Sequence, residues 1–323
     1  MTDHRPLRVA GSGIFGLSAA LAIQRRGLPV QVLDPAPAAV SASAVAAGLL
    51  APVGEALFDP LAAPHYPILV AAMDRWVAFA AEFSIALRRD AFLASLSYTE
   101  AAVRLGAKIE LGGDRVRIAG DAVVIHPPAV LEALADKFLA GGGVIAPRAI
   151  YADEGADGSP IVLAVGPGAA RLSTLAPELA CLAPVKGQIA VLPHGPQDGR
   201  VVRWAGGYMA PQPGGARVGA TMEVGTTDTA VEPSVIKALI DAARGHVPGL
   251  DAAGAYGEAG VRMQSPDGLP LVGPSQTPGV FLAVGARRNG WLLAPLVAEM
   301  IAAYVVGEDP GPWAAMLHPA RFG

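Results

Sequence analysis

The stretch Val9-Ala10-Gly11-Ser12-Gly13-Ile14-Phe15-Gly16, with an alanine-rich run behind it and Asp34 beyond, decides how the chain begins. Leu7 to Ala10 is a short apolar run that reads as a strand, and the residues from Ile14 read as a helix. Each glycine between them has its own task. Gly11 permits the bend, Gly13 lets backbone approach a pyrophosphate, and Gly16 lets the helix pack closely on the strand. The helix N-terminus carries unpaired amides and the positive end of the helix dipole, which together favour an anionic ligand. Gln31-Val32-Leu33 reads as a second strand that delivers Asp34, an acceptor for the hydroxyls of an adenosine ribose. A glycine triplet alone can be an ordinary tight turn. Joined to strand, helix and acid at this spacing it reads as a dinucleotide site, with FAD and NAD both open.

At 323 residues the chain is long enough for two joined lobes with a sizeable core. Charged residues make up only 16% against the roughly 25% usual in soluble proteins, and hydrophobic residues make up 52%, so much of the chain must be buried. No apolar run reaches the ~20 residues needed to cross a bilayer. Trp291 to Val306 comes nearest, but Pro295 and Glu299 interrupt it and it reads as a core helix. No membrane partner is expected. The first residues run directly into strand one without a signal-peptide pattern, so a cytoplasmic protein is expected. The net charge of -4, with no basic cluster, argues against nucleic acid as a partner. Cys181 is the sole cysteine, which excludes an intramolecular disulfide and reads as a small buried apolar residue. The six histidines show no metal-ligand spacing, and His65, close to Pro64 and Pro67, reads as a loop residue. A homo-oligomer is compatible with all of this.

Further along, Ser41 to Pro52 is built of small residues and suits packing against something flat. Tyr66 to Arg89 reads as one long, largely buried helix, and Ala129 to Ala140 as another, stopped by Gly141-Gly142-Gly143. Val144-Ile145 and Ile161 to Val165 read as strands on either side of the polar loop Asp153 to Pro160. From Pro184 the pattern becomes a meander. Val185 to Leu192, Val201 to Ala210 and Arg217 to Thr221 are strand-like, separated by turn-forming His194 to Gly199 and Pro211 to Gly215. A helix from Pro233 to about His246 follows, then a strand from Val280 to Val284, a glycine-bounded loop to Gly290 and a helix from Leu292. Strand, glycine turn and helix thus recur near the end, which returns the chain to the nucleotide lobe. The boundaries expected are 1–60, 125–180 and 260–323 for that lobe, and 61–124 with 181–259 for the other.

Several stretches in order resemble one family: Ser43-Ala44-Val45-Ala46-Ala47-Gly48-Leu49-Leu50-Ala51-Pro52, Pro184-Val185-Lys186-Gly187-Gln188, and Val218-Gly219-Ala220-Thr221-Met222-Glu223. Gly260-Val261-Arg262 with Ser265-Pro266-Asp267-Gly268-Leu269-Pro270, and Arg288-Asn289-Gly290 with Leu292-Leu293-Ala294-Pro295, complete the set. Together with the glycine fingerprint they make the chain similar to glycine oxidase, within the D-amino-acid oxidase-like group of FAD-dependent enzymes. The resemblance covers nearly the whole chain. It implies an α/β fold, with a Rossmann-like FAD-binding domain and a second α+β substrate domain built on an antiparallel sheet. It also implies FAD contacts at Gly11, Gly13, Ile14, Phe15 and Gly16, at Asp34 and Pro35 beside the ribose, and at Ala42 and Ser43. Ala47, Gly48 and Leu49 would lie along the flavin, Ile150 near the adenine, and Gly166 at a strand end. The loop Ala286, Arg287, Arg288, Asn289, Gly290, Trp291 and Leu292 would close the flavin site.

Oxidation of an amine by a flavin requires the substrate α-C–H to be held over the ring, so positioning is most of the catalysis. A carboxylate substrate needs an anchor, and the planar fork of arginine pairs both oxygens at once. The resemblance gives that role to Arg262 and Arg288; taken alone, either reads as a surface cation paired with an acid. Tyr208 stands at the substrate mouth in the resemblance, and by itself reads equally as a half-buried aromatic on a strand. Lys186 reads as a solvated lysine at a strand start, with tuning of the flavin as the alternative. Arg287 departs from the family, which carries aromatic residues there, and suits a substrate with a second acidic group. Pro167, after Gly166, is another departure.

The expected function is therefore oxidative deamination of glycine, another small amino acid or a secondary amine, with oxygen reoxidising the flavin to give hydrogen peroxide. In the family this chemistry can feed thiamine synthesis. The rivals are a flavin dehydrogenase passing electrons to a quinone or carrier, a catalytically idle FAD-binding partner module, and an NAD-dependent dehydrogenase.

Overall fold

The computed structural model describes residues 6–36, 38–155, 159–196 and 199–322. It divides into two compact units. One comprises Met1–Ala44, Pro128–Val185 and Val261–Gly323; the other comprises Val45–Pro127 and Lys186–Gly260.

The first unit is built on a sheet whose strands lie in the order Leu271–Pro274, Val280–Val284, Ile161–Leu163, Leu7–Ala10, Val30–Leu33, Val144–Ala146. All neighbours run parallel except the edge strand Leu271–Pro274, which is antiparallel to Val280–Val284. Short apolar runs such as Leu7-Arg8-Val9-Ala10 suit this setting because parallel strands are covered on both faces. The helices Ile14–Gln24 and Gly290–Val306 pack against each other. Both are apolar nearly all round, and every residue from Ile14 to Ile23 is buried, which is the pattern of a core helix. Ala10, Leu163, Leu172, Leu175, Leu271 and Leu282 form a further core cluster of this unit. Among the described residues no helix is long and apolar enough to cross a membrane.

The second unit holds a ten-stranded sheet. Its central strands Ala183–Leu192, Gly215–Gly219, Gly207–Gln212 and Val201–Trp204 are antiparallel neighbours, and Val201–Trp204 then runs parallel to Arg88–Ser95. Arg88–Ser95 pairs with Arg115–Val124, which also carries Lys108–Gly112 and Leu49–Leu50. The helix Pro233–His246 is amphipathic and lays Ile236, Ile240 and Ala243 on Ala190, Val202, Met209 and Val218. A second cluster gathers Val53, Phe92, Ile118 and Val124.

Several expectations need correction. The helix from Tyr66 ends at Glu82, because Ser84 turns left-handed at φ 54°, and Arg88 and Arg89 belong to a strand instead. Val201 to Ala210 is not one strand but two: Trp204 pairs with Gly207 across a tight turn in which Gly206 takes φ 85°. Pro211 and Gln212 continue the strand, and the turn expected there narrows to Pro213 and Gly214, between Gln212 and Gly215. The strand from Ile161 stops at Leu163. Residues 45–60, placed with the nucleotide lobe by sequence, pack with the second unit, since Leu49–Leu50 joins its sheet and Val53 its core. Residues 156–158 and 197–198, inside two of the expected loops, lie outside the described residues.

Candidate active site

In the first unit the fingerprint is explained glycine by glycine. Gly11 takes φ 105°, and a side chain there would stand 2.3 Å from the Ala164 carbonyl oxygen. A Cβ on Gly16 would fall 1.8 Å from the carbonyl oxygen of Gly11, so the helix can approach the turn only because that residue has none. Gly13 is different: its φ of −69° suits any residue, and a Cβ would meet only the Ser43 hydroxyl, at 3.2 Å. Gly13 is the N-cap of this helix and brings no side chain of its own to the first turn. Ile14 N–H donates to the Ser43 hydroxyl at 3.2 Å, and Phe15 follows as a buried first-turn residue.

Asp34 closes the same turn. Its Oδ2 accepts from the Ser12 amide at 2.6 Å and the Ser12 hydroxyl at 2.7 Å, while Oδ1 accepts from the Ala36 amide at 3.0 Å. A carboxylate has about four acceptor positions, so capacity remains for a ligand hydroxyl. Ser12 is the residue that sequence reading passed over here; its place between two fingerprint glycines was the signal. Pro35 is exposed, and Ala42 and Ser43 are half-buried in the short helix Ala42–Val45. Ile150 packs half-buried against the core of this unit. Gly166, at φ 49°, has open space around its missing side chain.

A second cluster forms where the strand Tyr256–Gln264 meets the loop after Val284. Gln264 and Ala286 form an antiparallel bridge. Arg262 stands two residues before that bridge on one segment and Arg288 two residues after it on the other, so the contact brings both arginines to one edge. Arg287 lies between, held at φ 52°, a backbone state that costs a non-glycine residue about 1 kcal/mol. Its amide donates to the Met263 carbonyl at 3.0 Å and its Nε to Gln264 Oε1 at 2.8 Å. Arg262, Arg287, Arg288, Asn289 and Gly290 are half-buried, while Ala286, Trp291 and Leu292 are buried. Asn289 N–H donates to the Ala286 carbonyl at 2.9 Å, and Asn289 stands at the N-cap position of the helix Gly290–Val306 without a capping bond from its side chain. The Trp291 indole donates to the Ser43 carbonyl at 3.0 Å, tying this helix to the segment beside the fingerprint.

With that geometry in hand, comparison with known proteins is informative. A family model described as DAO, FAD dependent oxidoreductase, matches residues 8–304. The chain belongs to that family. The nucleotide left open by the fingerprint is thus FAD, and the residues fit it: two turn glycines where a side chain would strike backbone, a helix whose N-cap is the bare Gly13, and an acid with acceptor capacity at the next strand end. The chain is 29% identical to the tRNA 5-methylaminomethyl-2-thiouridine biosynthesis bifunctional protein MnmC of Caulobacter sp. (strain K31), over 98% of its own length and 58% of the relative's. It is 31% identical to glycine oxidase of Geobacillus kaustophilus (strain HTA426) over 50% of its own length and 46% of the relative's. The crystal structure of glycine oxidase from Geobacillus kaustophilus shares its fold at a TM-score of 0.85, with 22% identity and 98% of each chain covered. That of iminodiacetate oxidase from Chelativorans sp. BNC1 does so at 0.81, with 19% identity, covering 97% of this chain and 98% of the other. The chain spans about half the length of the curated relatives it matches.

The remaining candidates of this FAD-dependent oxidoreductase lie in the second unit. Gly48 takes φ 69° and turns over Ile125, whose carbonyl oxygen would stand 2.2 Å from a side chain at Gly48. Ala47 is buried before the turn and Leu49 half-buried after it. Tyr208 is half-buried on its strand, directly opposite Gly219, and its hydroxyl would be 3.0 Å from a Cβ on that glycine. Lys186 is not the solvated residue its position at the strand start suggested. It is only 2% exposed, with Nζ 2.9 Å from Asp228, 3.7 Å from Glu232 and 3.9 Å from Glu223. Its hydrogen bond to Asp228 pushes the ammonium pKa up and holds the Asp228 carboxyl down. Glu223 is likewise held low, first by the Thr221 hydroxyl and then by Gln188 and Lys186. In the first unit, Cys181 is half-buried against the core, and burial raises its thiol pKa. Among the described residues no cluster suited to a metal ion occurs.

Proposed function

We propose that the chain catalyses oxidative deamination of glycine, another small amino acid or a secondary amine, with oxygen as the acceptor and hydrogen peroxide as a product. The observation that carries this reading is the bridge between Gln264 and Ala286, which collects Arg262, Arg287 and Arg288 within the FAD-binding unit. FAD, when bound, accepts the hydride released from the substrate α-carbon. The protein's part is to bind and orient. The guanidinium forks of Arg262 and Arg288 pair with the substrate carboxylate and set the direction of the α-C–H bond. An amine that enters neutral needs no side-chain base, so the lack of a histidine at this turn is consistent with the chemistry. Arg287 adds a third cationic fork at the same edge and favours an amine carrying two carboxylates; the iminodiacetate oxidase among the structural neighbours acts, by its name, on such a molecule.

The test is to mix the yellow protein anaerobically with glycine, sarcosine, D-alanine, D-proline and iminodiacetate. Bleaching of the flavin by at least one, followed by stoichiometric peroxide on admitting air, is the expected result. Bleaching without peroxide supports a dehydrogenase that passes electrons to a quinone or carrier, and a flavin that none of them bleaches supports an idle binding module. A second reading follows from the MnmC relative, which aligns with 98% of the chain: the amine is then a side chain on a tRNA uridine. The net charge of -4 weighs against a polyanionic partner. Bleaching by undermodified tRNA but by no free amino acid would decide for it.

A further inference from the structure

Within the first unit, Asp34 is held more firmly than a residue at a strand end requires. Its amide donates to the Ala146 carbonyl at 3.1 Å, and the Gly11 amide donates to the Leu33 carbonyl at 2.8 Å, so the backbone here is fixed between the strands on either side. The side chain is fixed as well. The carboxylate torsion of an aspartate is ordinarily broad, yet both oxygens are engaged: Oδ2 accepts from the Ser12 amide and hydroxyl, and Oδ1 from the Ala36 amide. Ser12 is only 3% exposed, whereas Asp34 is half-buried, so the hydroxyl is withdrawn from solvent and the carboxylate is not. Burying a hydroxyl is costly unless it is hydrogen-bonded, and the Asp34 carboxylate supplies the bond. Closing the turn needs only backbone donors. The Gly11 amide on Leu33 and the Ser12 amide on Asp34 would both survive an alanine at position 12. The hydroxyl is therefore surplus to the turn, and its effect falls on the carboxylate.

We propose that Ser12 is a positioning residue for the cofactor: by filling Oδ2 it fixes the carboxylate plane of Asp34 and leaves Oδ1 to accept from a hydroxyl of the adenosine ribose of FAD. The inference rests on the reading that Asp34 faces that ribose. Supporting it are the parallel strands Leu7–Ala10 and Val30–Leu33, joined through the glycine turn and the helix Ile14–Gln24, the setting in which an acid at the second strand end meets a ribose. Of the roughly four acceptor positions of a carboxylate, Ser12 occupies two and Ala36 a third, and the remaining one lies on Oδ1. An acceptor aimed in advance takes the ribose hydroxyl without first giving up rotational freedom, which is the gain of preorganisation. It also discriminates, because a sugar without the hydroxyl leaves a charged oxygen unpaired.

The experiment uses the full chain, stripped of flavin, as wild type, Ser12→Ala, Asp34→Ala and the double variant. Each is titrated with FAD and with a synthetic FAD whose adenosine lacks both ribose hydroxyls, and the two dissociation constants are read from the change in flavin fluorescence. Wild type is expected to bind FAD about tenfold or more tighter than the analogue, the worth of one hydrogen bond to a charged group. Ser12→Ala is expected to weaken FAD about fivefold and the analogue hardly at all, which cuts the ratio to about twofold. Asp34→Ala should abolish the ratio, and adding Ser12→Ala to it should change nothing further, because Ser12 acts through the carboxylate. A turn loosened in general would weaken both ligands alike, so the ratio separates positioning from a structural role. Should Ser12→Ala fail to fold, Ser12→Cys, similar in shape but a weak donor, carries the same readouts. A wild-type ratio that survives the loss of the hydroxyl overturns the positioning role and leaves the ribose reading of Asp34 standing. A wild type that binds FAD and the analogue alike overturns both.

Discussion

Two passages of the first unit share one design and reach opposite ends. The strand Leu7–Ala10 runs through a turn into the helix Ile14–Gln24, and Val280–Val284 runs through a turn into Gly290–Val306. The strands are parallel, separated by Ile161–Leu163, and the two helices pack together. Each turn opens on a left-handed glycine, Gly11 at φ 105° and Gly285 at φ 93°. After that they diverge. The first turn is made by removing side chains, so that a phosphate can reach backbone amides. The second is made by adding them, with Arg287 and Arg288 in succession. On the proposed function, binding a common cofactor moiety is written in sterics, and selecting a substrate is written in charge.

If that contrast is right, the largest effect comes from giving the first turn a side chain. In Gly16→Ala the new methyl would lie 1.8 Å from a backbone oxygen that cannot move without opening the turn. The expected cost is about 3 kcal/mol or more, seen as protein that is insoluble or purifies without the flavin absorbance. Gly285→Ala is the comparison: its left-handed φ of 93° costs a methyl-bearing residue about 1 kcal/mol, and the nearest atom its methyl meets is the flexible end of Leu182, at 2.8 Å, so a smaller loss is expected. A Gly16→Ala protein that melts with wild type and stays yellow would dissolve the distinction.

Next comes the second turn's charge. Arg262→Ala should retain FAD and raise the substrate KM about 100-fold, or roughly 2.7 kcal/mol, with Arg262→Lys recovering only part because an ammonium cannot pair two oxygens in plane. Steady-state kinetics with a constant flavin content checks this. Unchanged KM removes Arg262 from the anchor role.

The two turns also differed in how far they could be read in advance. Gly11, Gly16 and Asp34 were legible because each is demanded by a local clash or spacing that a sequence displays. The bridge of Gln264 with Ala286 was not, since it joins segments of the chain through a contact that no local pattern announces. Lys186 misled for a related reason: a lysine at a strand start is ordinarily solvated, and the acids that receive it stand 37 to 46 positions on, at Glu223, Asp228 and Glu232. Gln212 was hidden by the proline before it and the Pro213-Gly214 turn after it, which made the whole stretch look like loop. The strands between Arg88 and Val124 carry arginines that break up their apolar alternation, so residues 88–89 were absorbed into the preceding helix.

A smaller effect is expected at Arg287, where sterics and charge meet. Arg287→Gly relieves a left-handed backbone worth about 1 kcal/mol and loses a hydrogen bond to Gln264 of similar worth. The melting temperature should therefore move little. Selectivity should move more: kcat/KM for iminodiacetate relative to glycine is expected to fall about tenfold, the size of one exposed charge-assisted contact. An unaltered ratio would leave Arg287 as a purely structural feature of the turn.

The smallest effect lies on the segment that follows the bridge residue Gln264, and its sign is set by pH. Asp267, three residues past Gln264, takes paired bonds from Arg321, Nε to Oδ2 at 2.9 Å and Nη2 to Oδ1 at 3.0 Å. Burial by itself would raise this carboxyl, but the bonds from Arg321, Leu269 and Ser265 outweigh it and hold the group below its ordinary 3.8. A depressed carboxyl stabilises the fold fully above its unfolded pKa and loses that contribution as pH falls through the folded one. With 28% of its side chain exposed, the pair is screened, and Asp267→Asn should cost about 1 kcal/mol near neutral pH. The gap between the two melting temperatures should then close as pH drops below the carboxylate range, because acid removes from wild type what the substitution has already removed. The glycine turn provides the reference: Asp267 bonds to Ser265, Leu269 and Arg321 rather than to that turn, so FAD retention by Asp267→Asn should match wild type at neutral pH. A gap that persisted in acid would mean that Asp267 acts through packing rather than charge.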